Sequence, residues 1–214
     1  DTPMNNRALR GQYPPGSTIK PFMALAGLHY GERTPEYTIK DPGYFTLPGL
    51  RHRYRDWKKG GHGKVDVFKS IVVSCDTYYY ELATDLGVDK IHSYLSGFGF
   101  GKKTGVDLGK PREDGTFKGE KSGLLPSQEW KRKRYKQKWY AGDTVSIGIG
   151  QGYNLVTPLQ LAQATATLAN KGVGYRPHFL KEMRGSDPDN TQVSEHSPTV
   201  NVKLDATQLD LVRR

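Results

Sequence analysis

Cysteine is almost missing from this chain. Cys75 stands alone among 214 residues, so no disulfide can close within it, and cysteine pairing says nothing about compartment. Long apolar runs are missing too. Nothing approaches the roughly 18 residues that a membrane-crossing helix needs, and "DTPMNNRALRG" lacks the charged-then-apolar layout of an export signal. Acidic residues are scarce beside basic ones, 22 against 32, and the resulting net charge of +10 favours an anionic partner: nucleic acid, anionic lipid or an acidic polymer. Internal repeats are absent, which excludes repeat architectures. The last residues, "DATQLDLVRR", form an amphipathic pattern that stops without a cap or polar tail, so the chain reads as a piece of a larger protein.

What is present is concentrated in a few stretches. Residues 17 to 30 are apolar on every side, which predicts a helix in the middle of a domain, with Pro21 tolerated in its first turn and Gly31 at its end. Residues 32 to 63, with "DPGYFTLPGLRHRYRDWKKGGHG", predict a long irregular segment held by something other than a core. A short helix is expected over 64 to 73, a break at "SCD", a second helix capped by Asp76 and closed by Gly87, and another over 89 to 96. Residues 110 to 140 read as a polar stretch. "TPLQLAQATATLANKG" predicts a helix with Thr157 as N-cap, Pro158 first, Gln160 completing a capping box and Gly172 past the end. Residues 185 to 200 read as loop.

Ser17 and Lys20 open the apolar helix. A serine hydroxyl becomes a nucleophile only when a base within hydrogen-bond reach takes its proton. Residues three apart share a helix face, so Lys20 can bring its amine onto the Ser17 oxygen. To act as base the amine must be neutral, which burial and the positive end of the helix dipole both favour. The Ser17 N–H at the helix start can meet an oxyanion. An arbitrary S-x-x-K is more often a cap beside a solvated lysine. Here the match is unique, the helix behind it is apolar, and Ser74 and Asp76 supply a second polar cluster through which a proton could pass to a leaving group.

"YPPGSTIKP", "SCD" and "SIGIGQGYNLVTPLQLA", in that order, resemble the transpeptidase domain of class B penicillin-binding proteins, and "RYRDWKKGGHG" resembles the elongation-type penicillin-binding protein 2 subfamily. The resemblance implies an α/β (α+β) fold of the penicillin-binding transpeptidase and serine β-lactamase kind. Residues 1–214 would be a central, mainly helical portion, with flanking sheet strands outside it. It implies a D,D-transpeptidase that cross-links peptidoglycan stem peptides during cell elongation, with Ser17 as nucleophile, Lys20 as base, Ser74 as proton relay and Asp76 beside them. β-Lactam antibiotics would trap Ser17. A membrane glycosyltransferase and other elongation-complex proteins would be partners, at the periplasmic face of the bacterial inner membrane. The second motif departs from the family's usual S-x-N by ending in Asp76. The third, Lys-Ser/Thr-Gly on a strand, should follow Gln151 and does not. Lys103-Thr104-Gly105 and Lys121-Ser122-Gly123 precede it and lack a strand pattern.

Asp41, Asp56, His62 and Cys75 offer two carboxylates, an imidazole and a thiolate, a plausible tetrahedral zinc set that would fasten the loop and place Cys75 between the two polar residues of "SCD". His52 is the alternative histidine. Against zinc, the spacing matches no zinc-finger pattern, Asp41-Pro42-Gly43 is an ordinary turn, and Cys75 could be a small buried hydrophobe. Six of the eight residues from Lys131 to Lys138 are basic, between Trp130 and Trp139. That pattern can bind single-stranded nucleic acid, yet no nucleic-acid motif accompanies it. Anionic lipid or glycan is the expected attraction, and no nucleic-acid partner is expected. A penicillin-binding relative that acts as a sensor or scaffold is the other alternative.

Overall fold

The structure, a computed structural model, describes residues 6–108, 119–184, 191–193 and 197–213. Along the chain run α1 (Arg7–Arg10), a 3-10 turn (Gly16–Ile19), α2 (Lys20–His29), β1 (Ile39–Asp41), β2 (Tyr44–Phe45), β3 (Tyr54–Arg55), β4 (Gly63–Val65), α3 (Val67–Val72) and α4 (Asp76–Gly97). They are followed by α5 (Gln128–Tyr135), α6 (Ala141–Gly148), α7 (Pro158–Ala169), β5 (Val173–Tyr175), β6 (Glu182–Arg184), β7 (Thr191–Val193), β8 (Pro198–Asn201) and α8 (Ala206–Arg213). The described residues form two compact units. One is built from Pro14–Ser96, Leu124–Leu155 and Leu204–Arg214, the other from the segments before and between these.

In the first unit α2 is the central helix. Ile19, Phe22, Met23, Ala24, Leu25 and Ala26 are all buried, and each of the larger ones contributes about 2 kcal/mol by leaving water. Pro21 sits in the first turn, where its missing N–H costs nothing. The amphipathic tail forms α8, which buries Leu209 and Val212 and packs against α2 and α3. The helix expected over 64 to 73 is shorter, because 63–65 pair with β1 and the Asp66 carboxylate caps α3 by accepting from Lys69 N at 2.7 Å. The break at "SCD" is present: Ser74 lies in the left-handed region at φ 50°. Asp76 is the first residue of α4 and not its cap, and Gly87 interrupts that helix at φ 73°.

The segment 32–63 is not coreless. β1 pairs antiparallel with β4, and β2 with β3 nests inside that hairpin. Leu47 is buried with Tyr80 and Val145, and Phe45, Tyr54 and Ile149 pack on them. The long polar stretch hides two helices. α5 starts on Ser127, whose hydroxyl accepts from Trp130 N at 3.1 Å, and buries Lys131 against the carboxylate of Asp143 and the rings of Trp139, Tyr140 and Tyr153. Lysine and arginine are good helix formers, but they carry no apolar period. The remainder of the basic block, Arg132 to Lys138, is exposed. Residues 110–118 of that stretch lie outside the described residues.

In the second unit α7 begins as expected, with Thr157 Oγ1 accepting from Gln160 N at 3.1 Å. The capping box is not completed. The Gln160 side-chain amide donates instead to the carbonyls of Gly99, Lys102 and Ser122, stapling three turns to the helix. β5 pairs with β8 and β6 with β7, so the expected loop over 185–200 contains strand at 191–193 and 198–200, while 185–190 and 194–196 lie outside the described residues. Both Lys-Thr/Ser-Gly tripeptides are non-strand. Thr104 is held through its N–H and hydroxyl, each 2.6 Å from Glu120 Oε1, and Gly105 N donates to Oε2 at 3.1 Å. Glu120 is buried, so Glu120→Ala strands these donors and is expected to cost about 2 kcal/mol or more, read as a lower urea midpoint.

Candidate active site

Ser17 lies in the 3-10 turn just ahead of α2 and is exposed, whereas Lys20, the first residue of α2, is 2% exposed. The turn is held by Gly16 N donating to Gly150 O at 3.0 Å. Gly150, at φ 70°, has the Gly16 backbone against it so closely that a Cβ could not fit, which explains one glycine of "SIGIGQG". The joint between α3 and α4 brings Ser74 and Asp76 to the same place.

The Lys20 ammonium nitrogen donates to Ser74 Oγ at 2.9 Å, to the Ser74 carbonyl at 2.8 Å and to Asp76 Oδ1 at 2.6 Å. Ser74 Oγ in turn donates to Ser17 Oγ at 3.0 Å. The expected direct contact from Lys20 to the Ser17 oxygen is therefore replaced by a relay through Ser74. The cause is geometric: Asp76 and the Ser74 carbonyl draw the amine toward the α3–α4 joint. The departure from S-x-N gains a physical reading, because the half-buried carboxylate forms an ion pair with the buried lysine. An exposed hydroxyl backed by a buried amine through one intervening hydroxyl is an arrangement suited to acyl transfer.

A second cluster stands directly behind. Ligand atoms of Asp41, Asp56, His62 and Cys75 all lie within 4.8 Å of one another. β1 and β4 supply Asp41 and the residue before Gly63; Gly61, at φ 76°, lets the turn pass hard against the Asp41 backbone. His62 Nδ1 is 2.8 Å from Asp41 Oδ2 and 3.6 Å from Asp56 Oδ1, and Cys75 Sγ is 3.4 Å from Asp41 Oδ2. Burial opposes ionisation of Asp41, but the amides of Gly43 and His62 and the side chains of Thr77 and His62 outweigh it and hold the carboxyl below its ordinary range. Burial pushes the Cys75 thiol up against a smaller pull from the Tyr78 amide, and the carboxylates of Asp41 and Asp56 push it further. His52 meets the Tyr54 ring edge-on, with centroids 4.7 Å apart, and is outside the cluster. Trp57 escaped the sequence reading. Its indole N–H donates to the carbonyls of Val73 and Ser74 at 3.1 and 3.2 Å, bridging the second cluster to the first. Its position next to Asp56 was the available signal.

The sequence profile of the penicillin binding protein transpeptidase domain matches residues 1–213. The peptidoglycan D,D-transpeptidase MrdA of Acinetobacter baumannii is 47% identical over 213 residues, covering 100% of this chain and 30% of that protein. Pseudomonas aeruginosa PBP2, solved in complex with WCK 5153, superposes with a TM-score of 0.83 at 46% identity, over 98% of this chain and 45% of that one. PBP2 from Helicobacter pylori, solved in complex with MreC, gives 0.77 at 33% identity, over 99% of this chain and 35% of that one. The chain thus spans 30% of the length of the curated relative. A profile match over nearly every residue, joined to the Ser17, Lys20 and Ser74 geometry, places this chain in the penicillin binding protein transpeptidase domain family.

Proposed function

We propose that the protein containing this chain is a peptidoglycan D,D-transpeptidase of cell elongation that works through an acyl-serine. The Lys20–Ser74–Ser17 hydrogen-bond chain carries this reading. Ser17 Oγ adds to the penultimate D-alanine carbonyl of a stem peptide while its proton passes through Ser74 to Lys20, which takes it up as the neutral amine after yielding a proton to Asp76 Oδ1, 2.6 Å away. This runs the chain opposite to the direction in which it now donates. The developing oxyanion turns to the Ser17 N–H at the start of the helix. The adduct collapses, the C–N bond to the terminal D-alanine breaks, and the proton returns through Ser74 to that amine. An amine of a second stem then attacks the ester, forms the cross-linking amide and restores the Ser17 hydroxyl. A β-lactam opens on Ser17 by the same first step and stays attached.

The third motif, Lys-Ser/Thr-Gly, and the rest of the sheet are assigned to the remainder of the protein, as is its membrane anchor. Among the described residues no helix is long and apolar enough to cross a membrane. The periplasmic face of the inner membrane is the location this chemistry requires. A membrane glycosyltransferase and an MreC-like elongation protein are its partners, in keeping with the solved complex of the Helicobacter pylori relative. Zinc is the structural cofactor proposed for Asp41, Asp56, His62 and Cys75. Tetrahedral ligand atoms at zinc lie about 3.5 Å apart, so the observed cluster fits with slight contraction. The ion would deprotonate the thiol and neutralise the carboxylates.

A fluorescent penicillin added to the full-length protein tests the reading. Covalent labelling that disappears in Ser17→Ala is the expected result, and an intact protein that takes no label would sink it. Labelling without cross-linked product would favour a sensor.

A further inference from the structure

The sequence "RYRD" alternates basic and non-basic residues, and the β2–β3 hairpin sorts Arg53 and Arg55 to the face opposite Tyr54. Tyr54 turns inward with Phe45, its cross-strand partner, onto Tyr80 and Val145. Arg55, opposite Tyr44, and Arg53, two residues back, therefore share the outward face, where the Arg53 guanidinium stacks 4.5 Å from the centre of the Tyr44 ring. Together with Asp56, Trp57 and Lys59 these residues line a cleft of about 440 Å³.

Its charge is one-sided. Among the described residues no carboxylate pairs with Arg53, Arg55 or Lys59. Asp56 is only 7% exposed, and its oxygens accept from the amides of Lys58 and Thr77. Trp57 forms one wall, 66% exposed, with its N–H on the Ser74 carbonyl. A single residue thus lines the cleft and touches the second motif of the active site.

We infer that this cleft is a subsite for an acidic peptide, and, resting on the transpeptidase reading, that it holds carboxylates of a stem peptide engaged at Ser17. A guanidinium presents a planar fork suited to carboxylate, and one already stacked on tyrosine loses less freedom on binding. A concave volume of this size takes a short peptide segment. A lipid surface would instead meet the exposed basic residues of α5.

The test uses the full-length protein and two synthetic pentapeptides of one sequence, the first with three free carboxylates and the second fully amidated. The acidic peptide is expected to bind about tenfold tighter, with the preference fading as salt rises. Arg53→Glu/Lys59→Glu should abolish that preference, whereas Lys133→Glu/Arg134→Glu on α5 should keep it. Thermal melting establishes that each variant is folded. Equal affinity for the two peptides, a preference that survives in the folded Arg53/Lys59 variant, or equal losses from both charge reversals would each overturn the subsite. Penicillin labelling is read in the same samples. An acid preference without Ser17 labelling overturns the stem-peptide assignment and leaves an acidic-peptide site; labelling without acid preference overturns the cleft alone.

Discussion

Lys20→Met is expected to slow acylation of Ser17 by a β-lactam about a thousandfold, within the range of a lost general base. Methionine keeps the length and apolar stem of a side chain that is 2% exposed, and Asp76, losing its cation, retains some access to water at 15%. The protein should therefore still melt cooperatively. The geometry makes a sharper demand. Lys20 reaches Ser17 only through Ser74, at 2.9 and then 3.0 Å, so Ser74→Ala should cost nearly as much as Lys20→Met. The double variant should then be little worse than either single one, because residues acting as one unit are non-additive. Rates of acylation for the four proteins, measured with one penicillin, decide it. A fast Ser74→Ala would mean that the lysine turns directly to Ser17 during the reaction, and multiplicative losses would mean two independent roles.

The parts of the molecule that announced themselves beforehand are those whose cause is local. α2 was visible because an unbroken apolar stretch must be buried, and α7 because Thr157, Pro158 and Gly172 mark its ends. Ser17, Lys20, Ser74 and Asp76 could be named from type and spacing, and the folded chain does bring them together. What could not be read is which atom faces which. Whether Lys20 meets Ser17 or Ser74 depends on a left-handed turn at Ser74 and on an anion 56 residues away in sequence. The Gln160 amide looked like a cap partner, yet tertiary acceptors at Gly99, Lys102 and Ser122 outcompete the local one. α5 was lost because charge masks periodicity on a helix whose one buried lysine is satisfied by Asp143 from another element. The hairpins within 39–65 were missed because strands of two or three residues are shorter than any alternation pattern.

Removing the zinc proposed for the Asp41, Asp56, His62 and Cys75 cluster should have the largest effect on stability. Purified full-length protein is expected to carry about one zinc per chain, absent from Cys75→Ser and Asp41→Ala. Without a cation, two carboxylates and a thiol converge within 4.8 Å around a single imidazole, and among the described residues no lysine or arginine side chain pairs with Asp41 or Asp56. Uncompensated groups of this kind cost about 3 to 5 kcal/mol when a partner is removed, or roughly 10 °C of melting temperature. The damage should spread along defined routes. Asp41 holds the amides of Gly43 and His62, and Asp56 holds those of Lys58 and Thr77, so hydrogen exchange at these four should accelerate on chelation. Thr77 lies in the first turn of α4 and Cys75 lies between Ser74 and Asp76, so the penicillin acylation rate should fall together with the metal and return when zinc is added back. A metal-free protein whose melting temperature, exchange rates and acylation are all indifferent to chelator would show that the cluster is held by its hydrogen bonds alone.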